Sequence, residues 1–471
     1  MIVSKYLCLF LSACWVSVVP VTRTDAQSRG KQVPPRLLVL TDISAFIHPE
    51  GEPDDSQSMI RLMLYTNEIN IEGLVATSNL GHGQRTRPEL IRQVIEAYGQ
   101  VHANLLLHDK HYPPAQQLMA LVKQGQPIAG PKVPVEKSVG EGKDTEGSDW
   151  IIQVVDKHDP YGRPVWIAAW GGTADLAQAL WKVRATRSPE ALKTFISKIR
   201  VHAIYDQDAT GRWIREQFPD LYYVFRHHGI RGMYRGGDTT LVRSAWVEAN
   251  IRKGHGPLGA LYTNYRGGDI WSGRMGRVKG IKEGDTPSFL YLMKNGLNVP
   301  DDPTLGNWGG RFKRDAGNPM HWVEDVDQFG DYKTDPDDRM AALYRWRPAW
   351  QADFAARLDW CVKSFEEANH APQLRSAGNK TQSARAGKRV KLRAPRASDP
   401  DGDQLNYRWY FYLEEGTYQG EIPALEAEGA AASFVAPRVS SQETIHVILE
   451  VSDDGSPSLT RYQRFVVSVK P

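Results

Sequence analysis

The chain has 471 residues, and its 58 Lys+Arg against 55 Asp+Glu leave a formal net charge of +3, with 24% charged and 41% hydrophobic residues. Those proportions exclude a wholly disordered chain, a collagen-like one and a small disulfide scaffold. The near-balanced charge gives no electrostatic basis for binding a nucleic acid polymer, which needs a concentrated basic surface. At roughly 100–200 residues per domain, the length predicts two to four domains. The chain also carries 14 Trp, five of them between 308 and 360. Such a supply builds either large aromatic cores or sugar-stacking surfaces, and composition does not choose between them.

In chain order, the first segment is a leader. Lys5 precedes a mostly apolar stretch at 6–21, interrupted by Pro20, and Thr24-Asp25-Ala26 offers small residues for cleavage. This predicts a signal peptide over 1–26 and no transmembrane span. Leu11-Ser12-Ala13-Cys14 also resembles a bacterial lipobox, which would make Cys14 a lipid anchor. Either route predicts a secreted or periplasmic protein, soluble or as a lipoprotein. Cys8 and Cys14 fall in the leader, so the cleaved chain keeps Cys361 alone and cannot form an internal disulfide. Cys361 is read as a buried small hydrophobe.

Between 34 and 369 apolar runs alternate with amphipathic ones. Arg36-Leu37-Leu38-Val39-Leu40 reads as a strand covered on both faces; Met59, Leu62 and Met63 share a helix face; 71–77 is a second strand. Strands at 164–170 and 199–205, with a helix at 176–183 between them, repeat the theme. The pattern predicts an α/β domain with a mainly parallel sheet and flanking helices, whose ligands bind beyond the carboxyl ends of the strands. A last helix is predicted from 350 to about 367. Composition then shifts at His370-Ala371-Pro372, and strands at 390–393, 405–413, 444–451 and 462–469 are separated by turn clusters. Residues 370–471 are therefore expected to form an all-β sandwich of immunoglobulin or cadherin type.

The strongest chemical signal lies where the first strand ends. Leu40-Thr41-Asp42 is followed by Glu52-Pro53-Asp54-Asp55 and then the helix, so several carboxylates converge on one crevice. Like charges at that spacing raise each other's pKa unless a cation or strong donors compensate. Ca2+ would do so with oxygen ligands. Capping of the helix by Asp54 and Asp55 accounts for the same residues, and local chemistry leaves both readings open.

These residues, with Ile71-Glu72-Gly73-Leu74-Val75-Ala76-Thr77 and the turn Trp170-Gly171-Gly172-Thr173-Ala174-Asp175-Leu176-Ala177, resemble nucleoside hydrolases. Closer is the resemblance to a secreted nucleoside-hydrolase-like family first labelled as cellulose-binding proteins. That family carries the Glu-Pro-Asp-Asp run, the Trp-Gly-Gly turn, the strand end Asp206-Gln207-Asp208 and Glu283-Gly284-Asp285-Thr286-Pro287-Ser288. Its cadherin-like C-terminal domain is matched here by Asp399 to Asp403.

The resemblance implies Ca2+ held by Asp42, Asp55, Asp285 and the Ala174 carbonyl, with Asp42 also taking a proton from the attacking water. It implies that Asp54 and Asn79 face sugar hydroxyls; Asp206, Gln207 and Asp208, at a comparable strand end, are read either as substrate contacts or as a solvated loop, and both readings stay open. The implied reaction is hydrolysis of an N-glycosidic bond in a nucleoside-like compound or another sugar. The family label implies a second reading, a non-catalytic extracellular protein that binds cellulose or another polysaccharide. Two departures stand out: Asp54 and Asp55 follow Asp42 by 12 and 13 positions, a longer loop (with His48 and Glu50) than in nucleoside hydrolases, and Gly284 stands where they often carry His.

Other candidates have local explanations. Gly236-Gly237-Asp238 and Gly267-Gly268-Asp269 are turn signals before they are phosphate cradles. His82 follows the second strand without a second His at metal spacing. Asp399, Asp401 and Asp403 have the spacing of a Ca2+ loop, and Asp-Pro-Asp-Gly-Asp is equally good turn chemistry.

Overall fold

Strand β1 (Arg36–Thr41) is buried along its whole length, as a strand covered on both faces must be. Its charged residue, Arg36, is paired with Glu72 at 2.6 Å. The computed structural model describes residues 33–46, 52–78, 85–267, 279–329, 339–375 and 379–471. The predicted leader, Cys14, His48, Glu50, Asn79, His82, Gly268 and Asp269 lie outside the described residues. After β1 come α1 (Asp54–Met63), β2 (Asn70–Ala76), α2 (Pro88–His108), α3 (Ala115–Met119), β3 (Val122–Gln124), α4 (Glu146–Asp156) and β4 (Val165–Ala169). Then follow α5 (Ala174–Thr186), α6 (Pro189–Ser197), β5 (Ile199–Ile204), α7 (Thr210–Gln217), β6 (Tyr222–Arg226), β7 (Phe312–Arg314) and β8 (His321–Glu324).

The sheet runs β3-β2-β1-β4-β5-β6-β8-β7, parallel except for β7 against β8. Successive β1 residues face opposite sides. Leu37 and Val39 pack with Met59 of α1 and Ile91 of α2, whereas Leu38 and Leu40 pack with Ile151 of α4 and Leu176 of α5. The chain builds outward from β1 in one direction and from β4 in the other, so the strand order reverses between them. Open α/β sheets bind ligands at such a switch point.

The helix expected over 350–367 spans Arg347–Asp359, with Pro348 in its first turn where a missing N–H costs nothing. Ser364 then opens a separate short turn, Phe365–Glu367, with a reciprocal Ser364–Glu367 capping box that ends any continuation. Cys361 is buried and unpaired, and burial pushes its thiol pKa up. No helix among the described residues is long and apolar enough to cross a membrane.

The C-terminal region is β-rich: β9 (Gln373–Leu374), β10 (Lys380–Arg385), β11 (Arg389–Arg393), β12 (Ala397–Ser398), β13 (Asn406–Phe411), β14 (Glu426–Glu428), β15 (Ala431–Val435), β16 (Glu443–Ser452) and β17 (Thr460–Lys470). They form sheets β10-β17-β16-β13 and β11-β15-β14 with a small β12-β9 pair, around Val390, Trp409, Phe434, Val447 and Val467. The parallel β10–β17 pair sits at the edge of the larger sheet.

This region shares the core of the α/β part. Tyr412 and Tyr462 belong to the same apolar cluster as Trp308, Trp346 and Trp350, and Trp346 meets both tyrosine rings edge-on. All five tryptophans between 308 and 360 are buried, and none of the described tryptophans is exposed. Buried ion pairs surround these rings. Asp327 receives Arg311 at 2.6 Å, Arg345 at 2.7 Å and the Tyr412 hydroxyl at 2.5 Å, while Glu415 pairs with Arg464 and lies 3.0 Å from His446.

Candidate functional site

Three chain segments deliver four carboxylates to the switch point. Asp42 follows β1 directly, Asp54 and Asp55 open α1, and Asp285 arrives on the segment after Gly280. That late segment is tied to α1. Gln57 donates to the carbonyls of Thr263 at 2.7 Å and Gly280 at 3.0 Å, and it accepts from the Lys282 backbone N–H at 2.7 Å. Arg61, on the same helix, meets Glu283 at 2.6 Å with both side chains wholly buried. Glu283 in turn accepts from Tyr262 and Thr286. The Trp170 indole donates to the Ser288 hydroxyl at 2.7 Å, and that hydroxyl donates to the Asp285 carbonyl at 2.7 Å. The Trp-Gly-Gly turn and the Glu-Gly-Asp-Thr-Pro-Ser run, far apart in sequence, are therefore one structural unit.

Carboxylate oxygens of Asp54, Asp55 and Asp285 lie within 4.8 Å of one another. Asp42 joins them through Asp55. Thr41, the last residue of β1, donates its hydroxyl to Asp55. Burial and repulsion by Asp55 and Asp54 hold the Asp42 carboxyl well above the usual range. Burial lifts Asp55 to about 6, against the pull of Thr41 and Asp42 hydrogen bonds. Asp285 is raised by burial and by Asp55, Asp54 and Asp42, with Lys282 opposing. Among the described residues, Asp42 Oδ1 and Asp285 Oδ2 are buried without a hydrogen-bond partner. Buried carboxylate oxygens without donors, in a group of mutually repelling acids, are a donor set suited to a hard divalent cation.

The predicted Asp42, Asp55 and Asp285 thus come together. Asp54, expected to face a sugar, stands among the same ligand-distance group. Ala174 is buried as the first residue of α5 on the same turn. The two glycines before it are there because side chains fill the space. A Cβ on Gly171 would come within 2.6 Å of the Asp42 side chain, and one on Gly172 within 2.2 Å of Asp208 and 2.3 Å of the Ser78 hydroxyl. Asp208 therefore lies across the glycine turn from Asp42. It is 3% exposed, accepts from the Thr210 N–H at 2.8 Å and hydroxyl at 2.5 Å, and is raised by burial. Asp206 is paired with Arg215 of α7 at 2.6 Å, and the Gln207 amide donates to the Trp170 carbonyl.

Sequence reasoning passed over three residues. Lys282 pairs with Glu52 and is pulled down to about 7 by burial, with Asp285 and Asp42 opposing. Only its place three positions before Asp285 hints at it. Asp175 is fully buried and accepts from Thr77, Thr145 and the Gln126 N–H, joining the ends of β2 and β3 to α4 and α5. Tyr205 has a φ of 65°, rare for a side-chain-bearing residue. Its ring stacks on His227 at 4.7 Å beside a cleft of about 440 Å³ that also touches Asp206, Phe225, Glu324 and Arg339. Gly236 and Gly237, with φ of 65° and 56°, form a turn whose Asp238 caps Thr239–Val242.

A family model described as the cellulose-binding Sde182 nucleoside hydrolase-like domain matches residues 36–312. The chain belongs to this family. A second model, the C-terminal domain of cellulose-binding protein Sde0182, matches residues 389–469. The solved structure of a nucleoside hydrolase-related hypothetical protein from Saccharophagus degradans, associated with carbohydrate metabolism, is similar at 32% identity and a TM-score of 0.75. That similarity covers 93% of this chain and 100% of the other. Mouse clustered PcdhgC3 EC1-3 matches at 19% identity over 23% of this chain and 35% of its own, with a TM-score of 0.16. The N-terminal four Ig domains of Dscam1 isoform 4.44 match at 13% over 22% and 26%, also with a TM-score of 0.16. Scores that low carry no weight for the fold. No curated protein matches the chain.

Proposed function

We propose that the protein is an extracellular Ca2+-dependent hydrolase of N-glycosyl bonds, with the active site in the crevice between β1 and β4. One observation carries the reading: carboxylates from three chain segments converge at the switch point, repel one another, and present buried oxygens on Asp42 and Asp285 that no donor among the described residues occupies. Asp42, Asp55 and Asp285 hold the cation, with the Ala174 carbonyl as a backbone ligand and Asp54 beside them. A bound Ca2+ supplies positive charge that offsets the carboxylates and acidifies a water. Asp42 would also take the proton of the attacking water. Asp54 and Asp208 are the proposed sugar contacts, joined by Asp206 and Gln207 from the same strand end as Asp208, and Asn79 is a further proposed contact. Residues 34–369 carry this chemistry. Residues 370–471 form a sandwich of cadherin or immunoglobulin type, and residues 1–26 direct export.

The test compares the parent with Asp55→Asn in calcium binding and in hydrolysis of a panel of nucleosides and glycosides. Loss of both in the variant is expected. Equal binding and turnover by the two proteins overturns the site.

A second reading, a non-catalytic binder of cellulose or a related polysaccharide, draws on the names of the two matched families and on the Tyr205–His227 stack beside its cleft. Stacked aromatic rings next to charged groups are suited to a sugar ring. None of the described tryptophans is exposed, which counts against an open tryptophan platform. Retention of the full chain on cellulose, with no turnover of any panel member, would establish binding alone. Absence of retention removes this reading.

A further inference from the structure

The cleft over Tyr205 opens at the carboxyl ends of β5, β6 and β8, beyond the strands that flank the crevice. Its volume of about 440 Å³ is within the range of small-molecule sites. Three stacked rings line it. His227 lies against Tyr205 with centroids 4.7 Å and planes 16° apart, and against Phe225 at 6.2 Å and 22°. Tyr205 is 36% exposed and sits in the left-handed region at a φ of 65°, where a side chain crowds its own backbone and glycine would sit freely. Its N–H still donates to the Arg226 carbonyl at 2.7 Å, so the ring is held at the strand end as the chain turns away. Strained backbone of this kind clusters at ligand sites. Charge gives the ligand its sign. Both acids among the described lining residues already have partners. Asp206 is gripped at its two oxygens by Arg215, at 2.9 and 2.6 Å, and Glu324 accepts from the His228 and Gly229 N–H groups at 2.8 and 2.7 Å and pairs with Arg226. The basic groups are less contained. The Lys313 side chain is 57% exposed and reaches Asp325 only at 3.5 Å, an acid that Arg311 already holds at 2.5 Å. Arg339 lines the same wall. Burial lowers the His227 pKa, and repulsion by His228, Arg231 and Arg339 adds to it against the attraction of Glu324.

We propose that this cleft binds an acidic sugar, a pyranose ring carrying a carboxylate, which packs on Tyr205 and His227 and is drawn in by Lys313 and Arg339. An aromatic surface bordered by surplus positive charge suits a ring that brings a negative one. The guanidinium fork of Arg339 matches a carboxylate in geometry and charge, whereas a neutral sugar hydroxyl offers it no charge to meet. The inference rests on the sugar-stacking premise of the polysaccharide reading, and it names a uronic-acid-bearing glycan, in place of uncharged cellulose, as the ligand of this cleft. It does not depend on the chemistry of the crevice.

The experiment is calorimetric titration of the full chain with a galacturonic acid trimer, with cellotriose and with triglutamate, at low and at high salt. The galacturonate trimer is expected to bind about tenfold more tightly than either of the others at low salt, as a hydrogen-bonded charge contact allows. High salt should shrink that preference. Lys313→Ala, at an exposed position, should narrow the preference about two- to fivefold. Tyr205→Gly, which removes the ring and frees the backbone, should weaken binding of the galacturonate trimer about tenfold, with thermal melting confirming the fold. Affinity for the galacturonate trimer no greater than that for cellotriose or triglutamate overturns the proposal. So does parental affinity in a folded Tyr205→Gly protein. The cellulose reading fails separately: a chain that prefers galacturonate yet is not retained on cellulose loses only that reading, and a chain retained on cellulose without the preference loses only this inference.

Discussion

The crevice between β1 and β4 and the junction around Asp327 bury carboxylates almost equally, yet they treat them in opposite ways. Asp285 is 2% exposed and Asp327 fully buried. Burial pushes both pKa values up, but at Asp327 the guanidinium groups of Arg345 and Arg311 outweigh it and hold the carboxyl below its usual range. Asp353, held by Arg357 at 2.8 Å and Arg461 at 3.1 Å, behaves as Asp327 does. At Asp285 the neighbours are three more acids and one lysine that itself pairs with Glu52. The difference separates a buried acid that completes the fold from one whose charge the protein leaves uncompensated. Geometry alone would not separate them; the sign of the surrounding charge does.

The comparison breaks most sharply under substitution. Asp327→Ala leaves Arg311 and Arg345 buried without their shared partner, and removing one member of a buried pair costs about 3–5 kcal/mol. Urea denaturation should show a loss of that size. Asp285→Asn in metal-stripped protein should show no such loss, because it removes a like charge from the group. Relief of one repulsive contact at a buried carboxylate is worth on the order of 1 kcal/mol, so stability should stay level or rise by that amount. An Asp285→Asn protein destabilised as much as Asp327→Ala would mean that the crevice, too, is a compensated structural network.

Acid offers a second way to sharpen the contrast. A carboxylate whose folded pKa is depressed contributes stability that is complete above its unfolded value of roughly 3.9, and loses it as pH falls through the folded value. Asp327 and Asp353 are of this kind. Their contribution should therefore be constant from neutral pH down to about 5, and should fall away below about 4. Denaturation midpoints of the parent and of Asp327→Asn, followed across that range, should converge as the acid limit is approached. A gap between them that stays constant to the lowest pH would remove the Arg–Asp pairing as the source of the junction's strength.

How much of this was legible in sequence depends on whether a signal is local. The β1, β2, β4 and β5 strands announced themselves as short apolar runs, and Asp42, Asp54 and Asp55 stood out because they sit where a strand ends and a helix begins. Asp285 was reached through the family resemblance. The junction left no trace, because its pairs join residues such as Arg464 and Glu415 or Arg461 and Asp353, whose proximity only the folded chain creates. For the same reason the tryptophans between 308 and 360 could be counted but not placed. Trp308 and Trp346 pack against Tyr412 and Tyr462, from the region that begins at the composition shift near 370. Lys282 was missed because a single lysine near an acid is common, and only its burial and its pairing with Glu52 make it informative.

The smallest expected effect tests the boundary of the crevice. Thr41 ends β1, and its hydroxyl serves two partners, accepting from the Ile43 N–H at 3.1 Å and donating to Asp55. It touches the proposed ion only through that carboxylate. Thr41→Val keeps the volume and the β-branched shape suited to a strand, while removing the donor that orients Asp55 and restrains its rise in pKa. Partners of this kind typically contribute 10–100-fold to metal affinity, so calcium binding at the crevice should weaken about tenfold. Denaturation should show a loss near 1 kcal/mol, the ordinary worth of one hydrogen bond. A Thr41→Val protein with parental calcium affinity would show that Asp55 needs no orienting donor to meet its ligand, and would move the functional weight of the crevice from Asp55 onto Asp42, Asp54 and Asp285.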